Sequence, residues 1–367
     1  MANVNVGKKK SKRIFYFDAL RALAVISVIL FHVFNYSKGM VVGDYPFTWN
    51  WFLADIMGTV FRCGVDLFLM LSGALSLGRV WDIKSFLGKR LPRITLPFLF
   101  WGFVLSLVMA LISIFHPSFM NVLSSNSVMG FLTYLYNSYM ANNSGFTPYW
   151  FFWMILGTYL IMPILNKWLY NAELKEAEYF LAIWLITCIF DFTFMVEFPV
   201  TLTYFTGPIG MVVLGYYLRH TERKVFNSPY TSFVIMAIGA ILMLLFSHMF
   251  STTDAFYVFE RYNILMVIEV TGIFLFFKNF SKLNVHINFF DNPDGIYKKS
   301  IFSIAKYSYG IYLVHRVVLI LLGRMFKHVV PYKGLILILF VGSLVISITI
   351  LAILNRVPYV NQVIGAK

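Results

Sequence analysis

Arg21 and His32 stand 11 residues apart in an otherwise apolar stretch that runs from Phe17 to His32. At about 100° per residue the interval closes to roughly 20° beyond three full turns, so on a helix the two side chains share a face about 16.5 Å apart. A guanidinium grips phosphate or carboxylate through paired charged hydrogen bonds. An imidazole changes protonation near neutrality, so it can serve as a general base or as a nucleophile. Asp18 lies one turn before Arg21 and can pair with it. Between the two functional groups the same face carries only Ala24, Val25 and Val28, which predicts a narrow apolar groove from a polar end to an imidazole. A buried ion pair plus a hydrogen-bonded core histidine is the plainer alternative.

Further ionisable groups sit where lipid would make them costly. Asp55, Arg62 and Asp66 fall in a second apolar stretch, and Asp191, Glu269, His315 and Arg316 lie later in the chain. Arg62 and Asp66 have the i,i+4 spacing of an ion pair that neutralises itself at depth. Gly64, Ser72 and Gly73 beside them permit close helix approach. Either a structural pair or a catalytic pair fits. Cys63 reads as a small hydrophobe, with an acyl carrier as the sharper alternative. Tyr307, Tyr312 and His315 fall near one face of a late helix, which suits either a hydrated cavity or plain helix-to-helix hydrogen bonding. Residues 116–147 hold no Asp, Glu, Lys or Arg but many Ser, Asn and Tyr, and Tyr149, Trp150 and Trp153 follow at once. Neutral hydrogen-bonding groups beside aromatic faces suit a carbohydrate; an interfacial helix lying on the headgroups suits the same residues.

Such groups need a membrane bundle to position them. The chain has 367 residues, of which 59% are hydrophobic, 19% aromatic and only 13% charged. Its mean hydropathy is +0.75. A soluble domain usually carries about 25% charged residues. Disorder, a disulfide scaffold and a nucleic-acid-binding domain are excluded on composition. Two cysteines, Cys63 and Cys188, supply neither a disulfide framework nor a metal cluster.

A bilayer core of about 30 Å takes roughly 20 apolar helical residues. About ten spans are expected, at Tyr16–Tyr36, Trp51–Leu77, Ile94–Phe115, Tyr149–Tyr170, Tyr179–Val196, Tyr204–Leu218, Tyr230–Phe250, Tyr262–Phe277, Ser303–Met325 and Leu335–Leu354. The fold class is therefore all-α, a polytopic membrane bundle. Lys8, Lys9, Lys10, Lys12 and Arg13 precede the first span as a signal peptide's basic region would, but Asp18, Arg21 and the absence of a small-residue cleavage site argue against removal. With the N-terminus in the cytoplasm, 22 of the 30 Lys and Arg fall in inner segments, five in outer ones and three inside spans. The positive-inside rule then puts both termini in the cytoplasm. The formal charge of +14 is read as topology. The chain divides into a basic inner tail over 1–13, a membrane domain over 14–356 and an inner tail over 357–367.

At this point the residues resemble a known family. Arg21-x10-His32, the run Gly64-Val65-Asp66-Leu67-Phe68 through Leu71-Ser72-Gly73, the basic Lys89-Arg90-Leu-Pro-Arg93-Ile-Thr-Leu-Pro97, Tyr149-Trp150-Phe through Pro163, and Ser308-Tyr309-Gly310-Ile-Tyr312-Leu-Val-His315 occur in the order seen in the acyltransferase 3 family of integral membrane acyltransferases. The Tyr149 segment is similar to its surface-polysaccharide O-acetyltransferase branch. The resemblance spans roughly Arg13 to Leu354.

It implies an O-acyltransferase that moves an acyl group, commonly acetyl, from cytoplasmic acyl-coenzyme A to a hydroxyl of an extracytoplasmic or surface glycan. It also implies that Arg21 and His32 are the essential pair. The donor would be acetyl-CoA or another acyl-CoA, with no metal and no nucleic acid. The partners would be a glycan or lipid-linked saccharide, the plasma-membrane bilayer and glycan-synthesis proteins. On this reading Arg21, Lys89, Arg90 and Arg93 hold the donor's phosphates. The thioester arm threads the Ala24, Val25 and Val28 groove to His32. Asp66, Arg62 and His315 orient or polarise the centre, while Tyr149, Trp150, Trp153 and Tyr312 receive substrate. A transporter of polysaccharide or lipid-linked sugar, or an accessory subunit of a glycan synthase, is the alternative.

Overall fold

The computed structural model describes residues 14–41, 48–142, 149–196, 200, 202, 205, 207–250, 260–280 and 295–366. The described residues form twelve α-helices and no strand. They are α1 (Phe15–Ser37), α2 (Trp49–Thr59), α3 (Gly64–Ser76), α4 (Ile83–Phe115), α5 (Val128–Tyr139), α6 (Trp150–Asn171), α7 (Leu174–Ile189), α8 (Pro208–His220), α9 (Pro229–Phe250), α10 (Ile264–Asn279), α11 (Ile296–Phe326) and α12 (Tyr332–Leu354).

Seven of these segments are long and apolar enough to cross a bilayer: those of α1, α4, α6, α7, α9, α11 and α12. The expected second span is two helices, α2 and α3, joined by a 3₁₀ turn over Val60–Cys63. The expected sixth and eighth spans are α8 and α10, of 13 and 16 residues. The fold is thus a membrane helix bundle in which shorter helices accompany the seven candidate crossings. The break in the second span matters for Arg62 and Asp66, because i,i+4 contact requires a continuous α-helix. Arg62 sits in the 3₁₀ turn and Asp66 in the first turn of α3. Both carboxylate oxygens of Asp66 are buried without a hydrogen-bond partner, so the expected neutralising pair does not form.

α1 lies at the centre, against α2, α3, α10, α11 and α12. In its apolar window 72% of residues are buried, and in that of α11 61%, against 17% for α9 and 22% for α12. The helices that carry Arg21, His32, His315 and Arg316 are therefore those best shielded from lipid, where polar groups cost least. Gly64 lets α3 press onto α1. A Cβ there would lie 2.5 Å from the carbonyl oxygen of Ala24 and 2.8 Å from Val28.

α4 begins at Asp82, whose side chain accepts from the backbone N–H of Ser85 at 3.0 Å. Its first turns carry Lys89, Arg90 and Arg93, and it runs on through Pro92 and Pro97. Beyond α12 the chain turns back. Ile364 is fully buried and its carbonyl oxygen accepts from Trp101 Nε1 at 3.2 Å.

Candidate active site

Two cavities occupy the centre of the bundle. The inner one is walled by Arg21 of α1, by Phe68, Leu71, Ser72 and Leu75 of α3, by Arg90, Arg93 and Ile94 of α4, by Phe151, Ile155 and Tyr159 of α6, and by Ser308, Tyr309 and Tyr312 of α11. The outer one is walled by Val28, Phe31, His32, Phe61, Arg62, Val65, Trp150, Arg261 and Tyr312. Tyr312 belongs to both walls. Phe151 and its neighbour Trp150 line the inner and outer cavity respectively. Arg21 and His32, placed on one face of α1 by helical phase, therefore stand in two chambers that meet at Tyr312.

The inner chamber is cationic and has an apolar depth. Arg21 Nη1 donates to Asp18 Oδ1 at 3.1 Å. Arg90 donates to Ser76 Oγ at 3.1 Å and lies 5.8 Å from the Phe86 ring. On the loop between α3 and α4, burial and then the Arg219 and Arg90 guanidiniums push the Arg79 pKa down. Its crowding beside two further cations marks an inner surface rich in positive charge, a setting that attracts polyanions. Phe68, Leu71, Leu75, Phe151 and Ile155 supply the depth.

The outer chamber is built around His32. Arg316 Nη1 donates to His32 Nδ1 at 2.6 Å. A guanidinium has no acceptor, so Nδ1 must offer its lone pair and the ring proton of the neutral imidazole sits on Nε2. The His315 ring lies 5.2 Å away, centroid to centroid. His315 Nδ1 donates to the carbonyl oxygens of Ile311 at 3.0 Å and Tyr312 at 2.8 Å. Its Nε2 is buried without a hydrogen-bond partner. The two neutral histidines thus carry their protons on opposite nitrogens, each fixed by what its Nδ1 meets. Arg261 stacks 4.3 Å over the Trp150 ring, which fixes that indole at the chamber wall.

The structure brings together most of the expected residues but not all. Arg21, Arg90 and Arg93 line the inner chamber; His32, Arg62 and Trp150 line the outer; Tyr312 joins them. Lys89 is exposed on α4 and lines neither chamber. Tyr149 is fully buried, its ring 5.0 Å from Phe98, and lines neither chamber. Trp153 donates to the Tyr139 carbonyl at 2.8 Å, tying α6 to α5. It too lines neither chamber. Asp66 and His315 are wholly buried behind the walls. The field of Arg261 and Arg62 reaches Asp66, while His315 touches the site through its ring face to His32.

Ala24 and Val25 are fully buried and line neither chamber, since α3 closes over them at Gly64. The apolar passage is made by α3, α6 and α11. Cys63 is buried, with its thiol 3.7 Å from Ser27 Oγ, away from both chambers. The 116–147 segment contains α5, which packs on α4 through Tyr139, whose hydroxyl donates to the Leu99 carbonyl at 2.6 Å. No residue of α5 lines either chamber.

Arg316, against His32, and Arg261, against Trp150, are the two residues of the site to which the sequence pattern gives no role. The adjacency of Arg316 to His315 was the available signal for the first. Nothing in the sequence signalled the second, because its contact with Trp150 joins two distant segments.

A match to the acyltransferase domain of the acyltransferase 3 family runs over residues 14–354. The chain belongs to the acyltransferase 3 family. No curated protein and no solved structure matches it. The match covers every helix from α1 to α12, including both chambers. The protein is accordingly a multi-pass membrane acyltransferase, and its chemistry requires an acyl donor and an acceptor.

Proposed function

We propose that the protein is a plasma-membrane O-acyltransferase that takes an acyl group, most simply acetyl, from cytoplasmic acyl-CoA and places it on a hydroxyl of a glycan or lipid-linked saccharide at the outer face. The observation that carries this reading is the pair of chambers meeting at Tyr312, one walled by Arg21, Arg90 and Arg93 and the other by His32. A donor that is a polyanion at one end and a thioester on a slim arm at the other matches the inner chamber in both charge and shape. The acceptor reaches His32 from the other side, past Trp150, a flat face of the kind that stacks on sugar C–H surfaces.

In the transfer, the acceptor hydroxyl displaces Arg316 from the lone pair on His32 Nδ1. His32 takes the hydroxyl proton as the oxygen attacks the thioester carbonyl. The displaced guanidinium, already within reach, stabilises the oxyanion. The C–S bond then breaks, the new C–O ester remains on the acceptor, and the thiolate leaves with the proton that His32 carried. His315, held by two carbonyls, fixes the ring packing behind His32. An acyl-histidine relay would use the same lone pair. The export alternative has no support from the family.

The test is acyl transfer from radiolabelled acetyl-CoA in inverted membrane vesicles. His32→Ala and Arg21→Ala at normal protein levels are expected to lower transfer by about 10²-fold or more. Undiminished transfer by either variant removes the proposed role of that residue.

A further inference from the structure

Residues 357–366, expected as a plain inner tail, are built into the bundle. Ile364 is fully buried beneath Trp101, and Gly365 has φ of +80°, a backbone conformation suited to glycine. A Cβ on Gly365 would lie 2.9 Å from the backbone nitrogen of Gly310 and 3.1 Å from the Tyr309 ring, so the segment is pressed against α11. It forms one wall of a third cavity of about 300 Å³, completed by Arg93, Pro97 and Tyr309 on one side and Gln362, Gly365 and Ala366 on the other.

Arg93 and Tyr309 also wall the inner chamber of the active site. The two spaces are therefore neighbours across one guanidinium and one tyrosine ring. Tyr309 is fixed in that position, its hydroxyl donating to the Ile94 carbonyl at 2.7 Å.

We propose that this side chamber receives the nucleotide end of the coenzyme A donor, with Arg93 on its phosphates and the C-terminal segment as its outer wall. The proposal rests on the acyl-CoA reading above. A coenzyme A molecule is a slim arm joined to a bulky phosphorylated nucleoside. The deep chamber, lined by Phe68, Leu71, Phe151 and Tyr312, takes the arm and leaves the nucleotide outside it. The adjoining space is of ligand size. It presents a charged donor, Arg93, on the side facing the deep chamber and a neutral amide, Gln362, on the other. Gln362 is exposed in a short 3₁₀ turn, free of the packing that Ile364 provides. The substrate class is thus set by the tail: a nucleotide-bearing thioester in preference to one that ends at its pantetheine phosphate.

The experiment compares calorimetric binding of coenzyme A and of 4′-phosphopantetheine to the full chain in nanodiscs made with zwitterionic or with phosphatidylglycerol lipid. The wild type is expected to bind coenzyme A about tenfold or more tightly than 4′-phosphopantetheine, the order of one or two charged hydrogen bonds. Gln362→Trp, which fills the chamber from an exposed position, is expected to erase most of that preference and leave 4′-phosphopantetheine binding within about twofold, and Arg93→Gln is expected to erase most of the preference as well. Equal wild-type affinities, or an undiminished preference in both variants, overturns the proposal. So does competition by phosphatidylglycerol with loss of the preference, which would assign the chamber to a lipid phosphate. If the wild type transfers acetyl from acetyl-CoA but shows no preference, the chamber assignment fails and the donor reading stands. If it binds neither ligand and transfers nothing, the donor reading falls and the chamber assignment with it.

Discussion

Arg316 Nη1 lies 2.6 Å from His32 Nδ1, joining α11 to α1 across the outer chamber. The contact decides which nitrogen of His32 offers a lone pair, and it comes from a residue 284 positions away in the chain. Arg316→Gln keeps a donor at shorter reach but loses the charge. Its expected outcome is a fall in kcat of about 10²-fold with a smaller change in donor KM. Steady-state transfer assays at several donor concentrations separate the two. A change confined to KM would place Arg316 in binding alone.

Tyr312 walls both chambers, 4.9 Å from the Phe151 ring. Tyr312→Trp should crowd the junction and lower kcat by about 10²-fold, the cost of a misplaced reacting centre. Tyr312→Phe preserves the ring and is expected to retain most activity. Equal loss in both variants would point instead to the hydroxyl.

Arg90 and Lys89 are sequence neighbours with opposite aims, one into the inner chamber and the other onto the exposed face. Arg90→Gln is expected to raise the donor KM by about tenfold. Lys89→Gln should leave it unchanged at physiological salt. Added KCl should weaken donor binding in the wild type more than in Arg90→Gln, because screening removes what the substitution has already removed. Kinetics at two salt concentrations check both statements.

Gly64 holds α3 against α1 with 2.5 Å between a hypothetical Cβ and the Ala24 carbonyl. Gly64→Val should destabilise the fold by about 1–3 kcal/mol through overpacking. A lowered midpoint of thermal unfolding in detergent checks it, and an unchanged midpoint would show that α3 can shift at no cost.

The shared face of Arg21 and His32 was legible because helical phase over three turns is fixed by geometry, and α1 is continuous from Phe15 to Ser37. The basic inner surface was legible for the same reason, since Arg90 and Arg93 lie one turn apart. The Arg62–Asp66 pair was misread because the spacing rule assumes an unbroken helix, and the 3₁₀ turn at Val60–Cys63 breaks it. Tyr149 and Trp153 carry the right chemistry for a sugar face, but Tyr149, just before α6, packs on Phe98 and Trp153 turns toward α5, while Trp150 alone reaches the chamber. Arg261 and the tail's contact with Trp101 depend on distant segments meeting, which no local pattern encodes.

The tyrosine ring between the chambers has an energetic consequence for the cell. A continuous water-filled tube through the bilayer would let protons run down their gradient. The Tyr312 ring, 4.9 Å from Phe151 and shared by both chamber walls, stands where such a tube would have to pass from one chamber to the other.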